Sequence, residues 1–389
     1  MNMTKRTNLC TVLFLAIAIM FAGCKKDKYD DAELQKRIAE LEEQKKKVDE
    51  QQKQIAELQE QQKDFEALVA ALGDNAQITS ITQNSSGTVT VTFADGNTIT
   101  IPGDLGDGTA TNPRKIFNAE GLDAMRNNLD WHYILVADIT VTNWLPVGDW
   151  TTVSNVFSGS FDGNGHTVTI NSFGVVPLGF ASCYFYGLFG SISSGTVNRL
   201  NVVINAAPVN RDGIIRYGGI TGTLEASSLI SNCSVSGALL AATVGSYPTF
   251  VGGIAGSLNV GAMTQNCYAL GSVSATGGGN NLAGGITGNA TSSTISACAA
   301  LQTAITGSAS YSGRVAGSES FSTVADSYAN KDMQVNGNKV TTGTVTNING
   351  ADCEAQPAAS WWQNTSAPNL GWDWSNIWEV ANGGYPKLR

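Results

Sequence analysis

Apolar and polar positions change their spacing four times along the 389-residue chain. Residues 11–22 form an apolar run that follows Lys5 and Arg6 and ends on the small residues of FAGC at 21–24. About a dozen residues is short of the ~20 that cross a bilayer, and the order basic, apolar, small predicts a targeting signal over 1–23. After a charged tether at 24–30 the spacing becomes seven. Leu34, Leu41, Val48, Ile55 and Val69 share one heptad position with Gln62; the second position runs Arg37, Gln44 and Gln51, then Leu58, Phe65 and Leu72. Six heptads without Gly or Pro predict a long α-helical coiled coil over 31–73, about 60 Å at ~1.5 Å per residue. Such a stalk implies a homo-oligomer; its polar positions leave dimer and trimer open, and a solvated single helix acting as a spacer is the alternative. Alternation of period two, with Ser-Gly and Asp-Gly turns, then predicts a small three-stranded β meander over 75–104. A Gly/Asp/Thr-rich linker follows at 105–113.

Residues 114–389 are short apolar stretches punctuated by glycine. Asn118 is placed to cap a short helix with Leu122, Met125 and Leu129 on one face, and YILVADITV (133–141) and FSGSFDGNGHTVTI (157–170) read as strands. Beyond them the motif Gly-apolar-x-Gly closes on Gly190, Gly222, Gly256 and Gly288, with a decayed copy, Arg-Val-Ala-Gly, closing on Gly317. Each copy precedes a second strand signal: TVNRLNV, LISNCSV, MTQNCYA, TISACAA and TVADSYA. Aligning these puts Leu200, Cys233, Cys267, Cys298 and Ser327 on one repeat position. Repeats of about 30 residues that stack equivalent positions at strand spacing predict a mostly β fold built on a parallel β-helix, or solenoid. The glycines then read as corners, where a side chain would clash. The cysteine position reads as a buried ladder, because Leu200 shares it and free Cys packs as a small hydrophobe.

Charge narrows the function. Residues 1–74 hold 12 of the 23 Lys and Arg and 14 of the 32 Asp and Glu, so the remainder is charge-poor and mildly acidic, without a basic face for nucleic acid. The glycine motif lacks the Lys-Ser/Thr and following helix of a phosphate loop. The cysteines lack the CxxC or His partners of a zinc site; a disulfide between neighbouring rungs stays open, as does a Cys183–Cys353 pair. Asp162 and Asn164 alternate like the start of a calcium loop, but no bidentate Glu follows at the required distance, so DGNG reads as a tight turn with His166 as its polar neighbour. No metal or cofactor is expected. Polysaccharide-cleaving β-helices gather carboxylates on one face, whereas here only Asp162, Asp212 and Glu225 are candidates and no catalytic residue is assigned. Trp361, Trp362, Trp372 and Trp374, with Trp378, Tyr385 and Pro386, read as a cap that plugs the open end of the solenoid; stacking on sugar rings is the alternative.

The N-terminal 24 residues resemble a bacterial lipoprotein signal, which implies lipidation of Cys24 and attachment to the outer membrane. The charged KKDKYDD that follows Cys24 resembles the surface-export tails of Bacteroidetes lipoproteins, and the coiled coil with its meander resembles the N-terminal module of many of them. The repeated glycine units, the FSGSFDGNGHT opening and the ending GWDWSNIWEVANGGYPKLR resemble the GLUG-repeat surface proteins of Bacteroidetes over roughly residues 112–389. That resemblance implies a cell-surface solenoid that binds a glycan or host protein as an adhesin. A polysaccharide-active enzyme and a purely structural surface component are the alternatives; no peptidase motif such as HExxH is present.

Overall fold

The computed structural model describes residues 45, 78–83, 88–94, 96, 98–101 and 105–389, the last without 153, 342, 364–369 and 381–383. The signal, Cys24, the tether and the heptad segment other than residue 45 lie outside these residues. Among the described residues no helix is long and apolar enough to cross a membrane. The alternating segment forms a three-stranded sheet of Ile78–Gln83, Val89–Phe93 and Thr98–Ile101, in that order. Val91 and Phe93, two apart on the central strand, are buried, as period two requires.

From Arg114 the chain winds as a parallel β-solenoid of about six turns. Each full coil contributes to five ladders, the second coil serving the fourth and fifth with one long strand, Ser234–Thr243. In chain order the first coil is Cys183–Tyr186, Phe189–Ser193, Thr196–Asn198, Asn201–Ile204 and Val209–Arg211. The second ladder stacks Phe189–Ser193, Thr221–Glu225, Ala255–Leu258, Thr287–Thr291 and Ala316–Ser320 without a register slip, pairing Phe189 with Thr221, Thr221 with Ala255, Ala255 with Thr287 and Thr287 with Ala316. The third and fourth ladders extend further towards the N-terminus, to Arg114–Ile116 and Ile139–Val141. There the short helix Ala119–Asp123 sits, capped by the Asn118 side chain, which accepts from Gly121 N at 2.9 Å; its Leu122, and Met125 in the turn that follows, are buried.

Three expectations are revised. The glycines at 190, 222, 256, 288 and 317 lie inside second-ladder strands, and the bend falls one step earlier, on pairs such as Gly219-Ile220 and Gly253-Ile254. What these glycines provide is close approach. A Cβ on Gly256 would stand 2.5 Å from Tyr217 N, and one on Gly288 would stand 2.6 Å from Val251 N; in each case the neighbour belongs to the first ladder of the coil before. Glycine lets the second ladder lie directly against the backbone of the first. Secondly, each second strand signal is two strands. Arg199, Asn232, Asn266, Ala297 and Asp326 have φ between 45° and 53°, and this left-handed residue turns the chain from the third ladder into the fourth.

The third revision concerns the tryptophan segment. It does not plug the end but lies along the flank, on the outer face of the fourth ladder, in a cluster with Tyr268, Ala299, Leu301, Tyr328 and Cys353. The end itself is closed by residues 345–352. Ile348 O accepts from Val315 N and Ala316 N, and Val345 O accepts from Ser327 N, where a further coil would pair. Arg314, which replaces the corner glycine in the decayed motif, is fully buried. Its guanidinium donates to Asp352 Oδ1 at 2.6 Å, Asn349 O at 2.8 Å and Gly350 O at 2.8 Å.

The interior tapers towards this end. One first-ladder position reads Tyr186, Tyr217, Val251, Ala283 and Ser312 up the stack, and one fourth-ladder position reads Val202, Val235, Ala269, Ala300 and Ala329.

Candidate functional site

Leu200, Cys233, Cys267, Cys298 and Ser327 are all fully buried, each directly before a fourth-ladder strand. The three cysteines donate to the carbonyl two residues back, Cys233 to Ser231 O at 3.0 Å, Cys267 to Gln265 O at 3.1 Å and Cys298 to Ser296 O at 3.2 Å; Ser327 Oγ does the same to Ala325 O at 2.9 Å. The position thus fills the core and also ties the left-handed corner. Burial pushes the Cys267 and Cys298 thiols well above the ordinary range, which removes the thiolate that nucleophilic chemistry needs. Cys183 and Cys353 are likewise free and buried, and burial lifts the Cys353 thiol to about 12.

The three candidate carboxylates do not converge. Asp162, in the third ladder, accepts from Arg199 Nε at 3.0 Å and from Asn164 N at 2.8 Å, so the DGNG turn is held by its own residues and a neighbouring arginine. His166 Nδ1 lies 3.2 Å from Asp138 Oδ1 beside that turn. Glu225 ends a second-ladder strand and accepts from Thr223 Oγ1 at 3.0 Å and from Asn259 Nδ2. Asp212 stands at the bend before Ile214–Gly218. Among the described residues no group of three or more His, Cys, Asp or Glu could hold a metal.

The tryptophans are mostly committed to packing. Trp362, Trp372 and Trp378 are buried, and Trp361 and Trp374 are half-buried. Trp372 stacks on Trp378 with ring centroids 4.6 Å apart and donates from Nε1 to Ala297 O at 2.9 Å; Tyr268 Oη donates to Pro386 O at 2.7 Å. Of this cluster's tryptophans only Trp361 and Trp374 are partly exposed to a sugar.

A concave site lies instead at the N-terminal end, where sequence reading had assigned no function. A cavity of about 250 Å³ is lined by Arg114, Lys115, Asn127, Asn128, Trp131 and Tyr133, with Gly121 of the short helix and Ala124 just after it. Its residues meet because Arg114–Ile116 and His132–Leu135 are adjacent rungs, with Arg114 paired to Tyr133. Tyr133 Oη donates to Asn128 O at 2.7 Å, and burial raises its pKa. The signal in the sequence was two adjacent cations, Arg114 and Lys115, just after the linker. Their partners stand 12 to 19 positions further on and share no motif with them. No protein-family model, curated protein or solved structure matches the chain.

Proposed function

We propose that this chain is a lipid-anchored GLUG-type surface protein, tethered through Cys24 to the outer membrane, whose coiled coil presents the solenoid for adhesion or ligand binding. One observation carries the binding part: the cavity at the N-terminal end offers a cation, aromatic walls and side-chain amides, a combination suited to recognition. The carboxylates that an enzymatic reading would need are separate, and two of them are engaged by neighbouring side chains. The anchor and the stalk rest on the sequence patterns at 1–24 and 31–73. Protease treatment of intact cells tests the placement. Loss of the solenoid from shaved cells, together with glycan or host-matrix binding by the purified chain, is the expected result; a chain untouched by protease sinks the surface assignment.

A further inference from the structure

We infer that the cavity beside Arg114 binds one anionic sugar residue, with its carboxylate or sulfate against the Arg114 guanidinium and its ring along Trp131. The inference rests on the ligand-binding reading above and gives it a site and a chemical class. At about 250 Å³ the cavity is smaller than the roughly 300–1,000 Å³ of sites for drug-sized ligands, so it suits a single ring of a longer chain.

The Arg114 side chain makes one hydrogen bond among the described residues, from Nη1 to Gly106 O at 3.3 Å, and no carboxylate there pairs with it. A guanidinium has five N–H donors in a planar fork that matches a carboxylate or sulfate edge, and most of this one's donors remain for a ligand. Its position is set by cross-strand pairing with Tyr133, whose hydroxyl is already spent on Asn128 O.

Trp131 provides a rigid wall. Gly108 backs the indole so closely that a Cβ there would stand 2.4 Å from ring atoms, so the ring is held from one side, and Trp131 lines the cavity. Sugars present flat apolar faces with hydroxyls at the rim, and aromatic walls with nearby side-chain amides satisfy both; Asn127 and Asn128 provide the amides. The solenoid region is acidic overall, so attraction of an anion depends on the local cation and weakens as salt screens it.

Titration calorimetry of the full chain in detergent tests this with three probes: an oligogalacturonate, a sulfated galactan oligomer and a neutral galactan oligomer. At least one acidic probe is expected to bind, with the neutral oligomer at least about tenfold weaker. Arg114→Gln is expected to weaken acidic-probe binding by about ten- to a hundredfold, and Asn127→Ala, at an exposed position, by a few-fold. Binding of the carboxylated probe alone identifies a uronate, and binding of the sulfated probe alone identifies a sulfate ester. The inference is overturned if neither acidic probe binds, or if binding is unchanged in Arg114→Gln; should that variant not fold, unchanged binding in Asn127→Ala overturns it. If all three probes fail while the chain still binds host matrix, this site falls and the adhesion reading stands.

Discussion

Glycine at 256 does work that no other residue can do in that strand. Its missing Cβ is what lets Ala255–Leu258 lie against the backbone of Ile214–Gly218. Gly256→Ala is expected to cost about 1–3 kcal/mol, the range for overpacking a tight contact, and to lower the melting temperature accordingly. A thermal melt indistinguishable from wild type would show that the two ladders are not in contact there. The periodicity of these glycines was legible in the sequence, but their role was not. Corner glycines and close-approach glycines recur at the same interval, and only the distance to a neighbouring backbone separates them. The left-handed corners were legible only in part: Asn232, Asn266 and Asp326 are residue types that tolerate φ > 0, whereas Arg199 and Ala297 are not.

At the scale of elements, the decayed fifth motif carries more information than the four good copies. Its arginine reaches Asn349, Gly350 and Asp352 and fastens the closing segment to the last coil. Arg314→Gly restores the repeat consensus yet removes these bonds. Amide hydrogen exchange is expected to speed up across 345–353 and the strand Ala316–Ser320 while Phe189–Ser193 keeps its protection; equal protection throughout would mean that the end is held by other contacts. Sequence reading assigned end-capping to the tryptophans because terminal coils need caps and the ending resembles a recurring terminator. The true cap is fastened by a buried arginine, and its signature was a single substitution in a repeat.

For the whole molecule, the tryptophan flank decides how the coils behave together. A solenoid contacts only its neighbours along the stack, so its coils can unfold piecemeal. Here one segment touches Tyr268, Ala299 and Tyr328, from three successive coils, and adds Trp372 Nε1 to Ala297 O. Trp372→Ala removes a buried aromatic worth about 3–5 kcal/mol, and chemical unfolding is expected to broaden or split where the wild type shows one sharp transition. A variant that merely shifts the midpoint, with slope intact, would assign cooperativity to the stack alone. Taken with Arg314, the flank bears on a question that concerns any stacked fold, namely what counts the coils. An open parallel edge is a template for another turn, and duplication of a 30-residue unit supplies one at no topological cost. In this protein the tally stops where the corner residue gains a side chain that occupies the next turn's place. Moving that arginine one repeat later, into a chain lengthened by one unit, would write a taller solenoid by changing the position of a single full stop.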